Sequence, residues 1–306
     1  MRLLRGRPDP VFRFVVRYSV LDHENPAWRL SSALDLERYR ARLWDPRRLA
    51  VRTEIFLERA LPLYQQMAGE HDVAVLVQHN PELPVLPELE AAARDHDVLR
   101  LAPMDRAEPM HETVHADLAD HRSRGQAVLL RVDDDDLVAV DLLDQVAPFV
   151  TPEHQGWSVS LAQGLVARHD GRGLRDLRRM RRAFRAIGQA FIGGPARSAQ
   201  PLWEPGNHMR VFEERPAIVH GRRLAWLQVL TEDQDSRTSG DRKADRESML
   251  RTLRGLPQVT DEELERVVTS FPTLAADVER VREFRRRRRE RRDREEDGGQ
   301  EGAEDR

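Results

Sequence analysis

Four consecutive aspartates, Asp133, Asp134, Asp135 and Asp136, stand between two apolar runs in residues 127–140, AVLLRVDDDDLVAV. Carboxylates this close repel one another, and each disfavours the ionised form of the next. A divalent cation shared with a phosphate relieves that repulsion, since hard cations take carboxylate, phosphate and water oxygens together. The run holds two overlapping Asp-x-Asp patterns, 133/135 and 134/136. Such a group suits the loss of a diphosphate from a sugar, where a Lewis acid neutralises the charge that builds on the leaving group. Acidic turns that only face solvent tend to be flanked by Gly, Asn or Ser rather than by apolar residues. A metal and nucleotide site is therefore favoured over a solvated turn.

Such a run needs a scaffold. Residues 127–132 are short, branched and apolar and read as a buried strand. The aspartates then fall at its C-terminal end, where open α/β sheets bind their ligands. Residues 11–20, VFRFVVRYSV, give an earlier strand with Arg13 and Arg17 inside it, and residues 72–77 and 98–101 give two more. Between them, residues 51–66 have helical spacing, with Thr53 as a cap and Pro62 as a kink or stop. A short helix ends near His96, and residues 112–124 form another, stopped by Gly125. This alternation predicts an α/β fold with a mostly parallel central sheet flanked by helices.

The second half is expected to hold a helix over 141–150, one or two strands in 156–169 and a helix over the arginine-dense residues 171–188. In that helix Leu174, Leu177, Met180 and Phe184 form an apolar stripe under a solvated basic face. Residues 190–194 and 201–208 read as loops, 211–212 and 217–220 as short strands, and 224–230 as a strand or helical turn. A polar loop over 231–242 and a helix over 261–270 follow. From Phe284 the chain is low-complexity and charged, and is expected to form a mobile tail. Its basic run 285–289 is a candidate for peripheral membrane contact.

The 306 residues carry 50 basic and 53 acidic side chains, a balance that argues against a nucleic-acid partner. Cysteine is absent, which removes disulfides, thiolate metal sites and a cysteine nucleophile. No run approaches transmembrane length and no signal-peptide segment is seen, so the expected location is cytoplasmic. Neither a G-x-G-x-x-G nor a G-x-x-x-x-G-K pattern occurs, which disfavours dinucleotide and P-loop enzymes.

Several segments resemble the bacterial family described as "putative rhamnosyltransferases", of the type A glycosyltransferase (GT-A) fold. They are Arg17-Tyr18-Ser19-Val20, residues 52–66 (RTEIFLERALPLYQQ), residues 130–137 (LRVDDDDL), Asn207-His208 and Trp226-Leu227-Gln228-Val229. The resemblance spans roughly residues 10–240, and the aspartates with the preceding Arg131 are its most specific part. It departs at residues 231–236, TEDQDS, where the family tends to have His-Gly-x-Asn-x-Ser.

The resemblance implies one GT-A-like domain over 1–275, with a nucleotide-binding half at about 10–140 and an acceptor half at about 141–275, and a charged helical or disordered tail over 276–306. It implies a metal-dependent glycosyltransferase that takes a nucleotide-diphosphate sugar, with rhamnose as the candidate sugar, and a carbohydrate or other hydroxyl acceptor. The cofactor would be Mn²⁺ or Mg²⁺, with Asp133, Asp135, Asp136 and His208 as ligands. Arg17, Arg131, Asp133 and Asp134 would hold the nucleotide sugar. An inverting course needs a carboxylate base, for which Glu232 and Asp233 are the candidates. The alternatives are a metal-dependent nucleotidyltransferase or phosphohydrolase, or a non-catalytic GT-A-like binding protein.

Overall fold

A computed structural model describes residues 8–22, 35–104, 109–198, 208–231 and 242–301. Strand β1 (Val11–Arg17) is buried along almost its whole length, as befits a branched, apolar strand covered on both faces. It pairs in parallel with β2 (Asp72–His79) and with β4 (Gln126–Asp133), and β2 pairs in parallel with β3 (Leu99–Pro103). Beyond β4 the sheet continues through β9 (Gln189–Pro195), antiparallel to both its neighbours, then β6 (Ser158–Leu161) and β10 (Ala217–His220), which are parallel to each other. The described residues thus form a seven-stranded sheet in the order β10-β6-β9-β4-β1-β2-β3, the mostly parallel α/β arrangement expected.

One face of this sheet is covered by a nearly continuous helical run. Helix α1 (Leu36–Leu43) leads to α2 (Pro46–Thr53), a π-helical stretch Glu54–Ala60, and α3 (Leu61–Ala68). The cap is Asp45, which accepts from the N–H groups of Arg47 and Arg48 at 2.9 and 3.2 Å, and not Thr53, which lies in helical conformation. Pro62 neither stops nor ends the helix, because the wider π turn just before it accommodates a residue that has no N–H to donate. Phe56, Leu63 and Tyr64 from this run pack with Phe12 and Phe14 of β1. After α4 (Leu86–Asp95), helix α5 (Met110–Asp117) covers the other face, where Met110 and Val114 pack with Val15, Leu76 and Leu129.

A second sheet has the order β5-β11-β7-β8, from β5 (Leu137–Val138), β7 (Gln163–His169), β8 (Leu174–Arg181) and β11 (Trp226–Leu230). Trp226 locks it to the first sheet. It is fully buried, and its indole N–H donates to the carbonyl of Leu161 at 2.7 Å. Gly164 lies so close that a Cβ there would stand 2.2 Å from the indole ring. Gly164→Ala is therefore expected to destabilise the protein by about 1–3 kcal/mol, read as a lower urea midpoint with an unchanged denaturant slope.

Three expected elements are corrected. Residues 174–181 are the strand β8, not a helix. A bulge at Asp176, whose φ is 53°, inserts one residue opposite β7, so Leu174 and Leu177 are both buried at a spacing that imitates a helix. Residues 189–195 form an internal strand despite two glycines, because β4 and β6 flank it on both sides. Val211 opens a short helix, α6 being Leu142–Val146 and α7 Val211–Glu214, rather than a strand. Helix α8 (Arg242–Arg254) is followed by α9 (Asp261–Ser270), capped reciprocally by Thr260 and Glu263. The charged tail continues as helix α10 (Ala275–Glu301). Among the described residues no helix is long and apolar enough to cross a membrane.

Candidate functional site

The aspartate run is where the chain passes from one sheet to the other. Asp133 ends β4, Leu137 begins β5, and the turn between them is closed by the Asp136 N–H donating to the Asp133 carbonyl at 3.2 Å. The parallel register sets Arg17 level with Asp133 on one side and Gln78 on the other. The C-terminal ends of β1, β2 and β4 thereby make one edge. Because side chains alternate along a strand, Arg131 and Asp133 share a face with Arg17 and Gln78, and Arg17 Nε donates to Gln78 Oε1 at 3.3 Å.

The four carboxylates have different surroundings. Asp133 is exposed, whereas Asp134, Asp135 and Asp136 are 2%, 4% and 4% exposed. Arg52, from α2, pairs through Nη1 with Asp134 and through Nη2 with Asp135 Oδ2 at 2.9 Å. Asp134 also accepts from Ser19 Oγ at 2.9 Å, and Ser19 Oγ accepts from Arg48 Nη1 at 3.0 Å. Ser19 itself sits in the left-handed region, φ 46°, with its carbonyl taken by the Trp44 indole N–H at 3.0 Å. Next to it, Tyr18 shares a 2.8 Å hydrogen bond with Thr53, and burial pushes its phenol up to about 12. Asp136 accepts from the Val229 N–H at 3.0 Å, which ties the turn to β11. Burial, then the charges of Asp135 and Asp133, push its carboxyl well above the usual range.

Basic residues from the second half face this edge. Arg182 and Arg185 lie in the β8–β9 connection, and Arg185 Nη2 donates to Gln228 of β11 at 2.5 Å. His208 lies within electrostatic reach of Asp133, Arg131, Arg182 and Arg185. Its ring is held down to about 4, by burial first and then by Arg131 and Arg185, so it is neutral at pH 7. Its carbonyl accepts from Gln189 Nε2 at 3.0 Å. Of the residues singled out from the sequence, Arg17, Arg131, the four aspartates and His208 thus meet at one edge. Glu232 and Asp233 lie outside the described residues.

Three of the four carboxylates of the run are engaged within the protein, and Asp133 faces outward. Asp134 and Asp135 face Arg52, and Asp136 faces the Val229 N–H. Among the described residues, a set of three acid and histidine groups brings its ligand atoms together elsewhere, at Glu70, His71 and Asp144 of the α3–β2 turn and α6. Arg52, Ser19, Arg48 and Arg185 are the site residues to which sequence reading gave no role. Arg52 was visible only as the first residue of the helical segment carrying the resemblance, and Arg185 only within an arginine-dense stretch read as a solvated helix face.

The profile of the family described as "Putative rhamnosyl transferase" matches residues 13–243. No curated protein matches the chain. Among solved structures, S. aureus TarS 1-349 in complex with UDP is 12% identical, with 73% of this chain and 62% of that chain covered and a TM-score of 0.37. The chain therefore spans less than two thirds of that TarS fragment. A 4-diphosphocytidyl-2C-methyl-D-erythritol synthase is 10% identical over 81% of this chain and 99% of its own, with a TM-score of 0.36. A "Putative Glucose-1-Phosphate Thymidylyltransferase" from Bacillus anthracis is 9% identical over 71% of this chain and 88% of its own, with a TM-score of 0.37.

Proposed function

This chain belongs to the "Putative rhamnosyl transferase" family, and from that premise we propose that it moves a sugar from a nucleotide-diphosphate donor to a hydroxyl acceptor, with the donor seated at the Asp133 edge. The observation that carries the reading is the position of the aspartate turn. It lies at the C-terminal edge of the parallel strands, inside the matched span, with one exposed carboxylate and several arginines beside it. In the transfer, the acceptor oxygen bonds to the anomeric carbon while the bond from that carbon to the diphosphate oxygen breaks, and the nucleoside diphosphate leaves with the electron pair. Asp133 would hold the ribose, and Arg17 and Arg131 the diphosphate. The acceptor would be bound by residues 141–275. In an inverting course Glu232 or Asp233 would take the hydroxyl proton. Rhamnose is the sugar that the family's description favours. The divalent cation expected from the aspartate run would have Asp133 as its outward-facing carboxylate, and no step of the transfer is assigned to it.

The test is thermal shift of the full chain against a panel of nucleoside diphosphates and nucleotide sugars, each with Mn²⁺ and with EDTA. A ligand that binds only the folded state raises the melting temperature in proportion to the logarithm of its saturation. A shift is expected with at least one nucleoside diphosphate and its sugar conjugate. No shift with any nucleotide, under either condition, would sink the reading.

A further inference from the structure

A donor diphosphate adds negative charge to an edge that already carries four aspartates, so the source of positive charge decides how this site works. Two of the four carboxylates share the single guanidinium of Arg52, and the third is turned onto a backbone N–H. The arginines on the cleft side are in the opposite condition. Arg131 is half-buried, two residues before Asp133, and its Nε is buried without a hydrogen-bond partner. Among the described residues its guanidinium makes no hydrogen bond or ion pair, and neither does that of Arg182. Arg185 is also half-buried and gives Nη2 to Gln228, a neutral acceptor, while its Nε is buried without a partner. Leu130 of β4 pairs with Ala190 of β9, so the connection that carries Arg182 and Arg185 enters the sheet beside Arg131, and Arg185 lies near enough to Asp133 and Asp136 to interact with both. The guanidinium groups of Arg131 and Arg185 are partly withdrawn from water without a hydrogen-bonded anion, which is costly, and the exposed Arg182 beside Arg185 adds repulsion. A bound dianion removes both costs. The planar fork of arginine also matches phosphate oxygens with paired, charge-assisted hydrogen bonds.

Resting on the reading of this edge as the donor site, we infer that Arg131, Arg182 and Arg185 bind and neutralise the donor's diphosphate, in the role expected of a divalent cation on the Asp-x-Asp pattern. As the bond to the sugar breaks, the electron pair passes to the diphosphate oxygen, and the guanidinium N–H groups stabilise the charge that grows there. Arg131 comes from β4, whereas Arg182 and Arg185 come from the β8–β9 connection. The diphosphate would therefore sit between the two halves of the chain.

The experiment is titration calorimetry of the full chain with UDP, GDP, dTDP and inorganic pyrophosphate, in EDTA and in Mn²⁺. The expected result is that pyrophosphate and at least one nucleotide bind equally well in both, with affinity falling as salt rises. Arg131→Gln, Arg182→Gln and Arg185→Gln should each weaken pyrophosphate by about tenfold. Arg182 is exposed, so its substitution leaves the fold unstrained, and the EDTA comparison on the unaltered chain needs no variant at all. Binding that requires Mn²⁺ would overturn the inference and leave the donor-site reading standing. Unchanged pyrophosphate affinity in all three variants would also overturn it. Failure of every nucleotide in both conditions would overturn the donor-site reading itself.

Discussion

Arg52→Met is expected to lower the unfolding free energy by about 3–5 kcal/mol, the cost of removing one partner from a buried ion pair and leaving the other uncompensated. One guanidinium here serves two carboxylates, Asp134 and Asp135, which are 2% and 4% exposed. For Asp134, the contact with Ser19 does not replace it. Ser19 gives Asp134 a neutral hydroxyl, and the Arg48 guanidinium beyond it donates to Ser19 and to the Leu43 carbonyl at 2.6 Å. Arg52→Lys keeps the charge but supplies a point rather than a fork, so it should fall between wild type and Met. Combining Arg52→Met with Asp134→Asn removes one orphaned charge, and the pair should cost less than the sum of the two single substitutions. Urea unfolding of the four proteins measures all of these. A Met variant within about 1 kcal/mol of wild type would mean that the aspartates do not depend on Arg52.

Arg52 also marks the limit of what the sequence made legible. The strand that presents the aspartates, the parallel pairing beside it and the edge they occupy all follow from short apolar runs alternating with helical segments. The partner of Asp134 does not, because it is 82 residues away and arrives only through the crossover from β1 to β2. Local repulsion within the run suggested a cation, and the fold supplies a guanidinium to two of its members. The second half was harder for a related reason. The bulge at Asp176 gave β8 a three-residue apolar spacing, and a helix assigned there placed Arg182 and Arg185 on a solvated face. As a strand, β8 delivers them through its connection to β9, beside β4. The charged tail is a third case. It lacks an apolar face over most of its length, but Val278 is buried, Arg282 pairs with Glu279 and Glu265, and Arg285 and Arg289 reach Asp261 at 2.7 and 2.8 Å. Spaced ion pairs thus hold as a helix what composition alone read as mobile.

Asp133→Asn is the second large effect, and its sign separates three roles for the one exposed aspartate of the run. Held against ribose hydroxyls, the carboxylate is a charged acceptor, and such bonds contribute about 1.5–3 kcal/mol. The variant should then bind the nucleoside diphosphate selected by the panel roughly tenfold to a hundredfold more weakly, alike in EDTA and in Mn²⁺. Inorganic pyrophosphate has no ribose, and for it the same substitution only removes a negative charge near Arg131 and Arg185. Pyrophosphate should therefore bind Asp133→Asn as well as wild type or somewhat better, because like charges at short range repel. Opposite responses to the two ligands are the expected result, with the melting temperature close to wild type since the side chain is exposed. Tighter binding of both would place the carboxylate against the phosphates, with no favourable contact to the nucleoside. Weaker binding of both, confined to Mn²⁺, would place an ion between Asp133 and the diphosphate and return the neutralising role from the arginines to the metal.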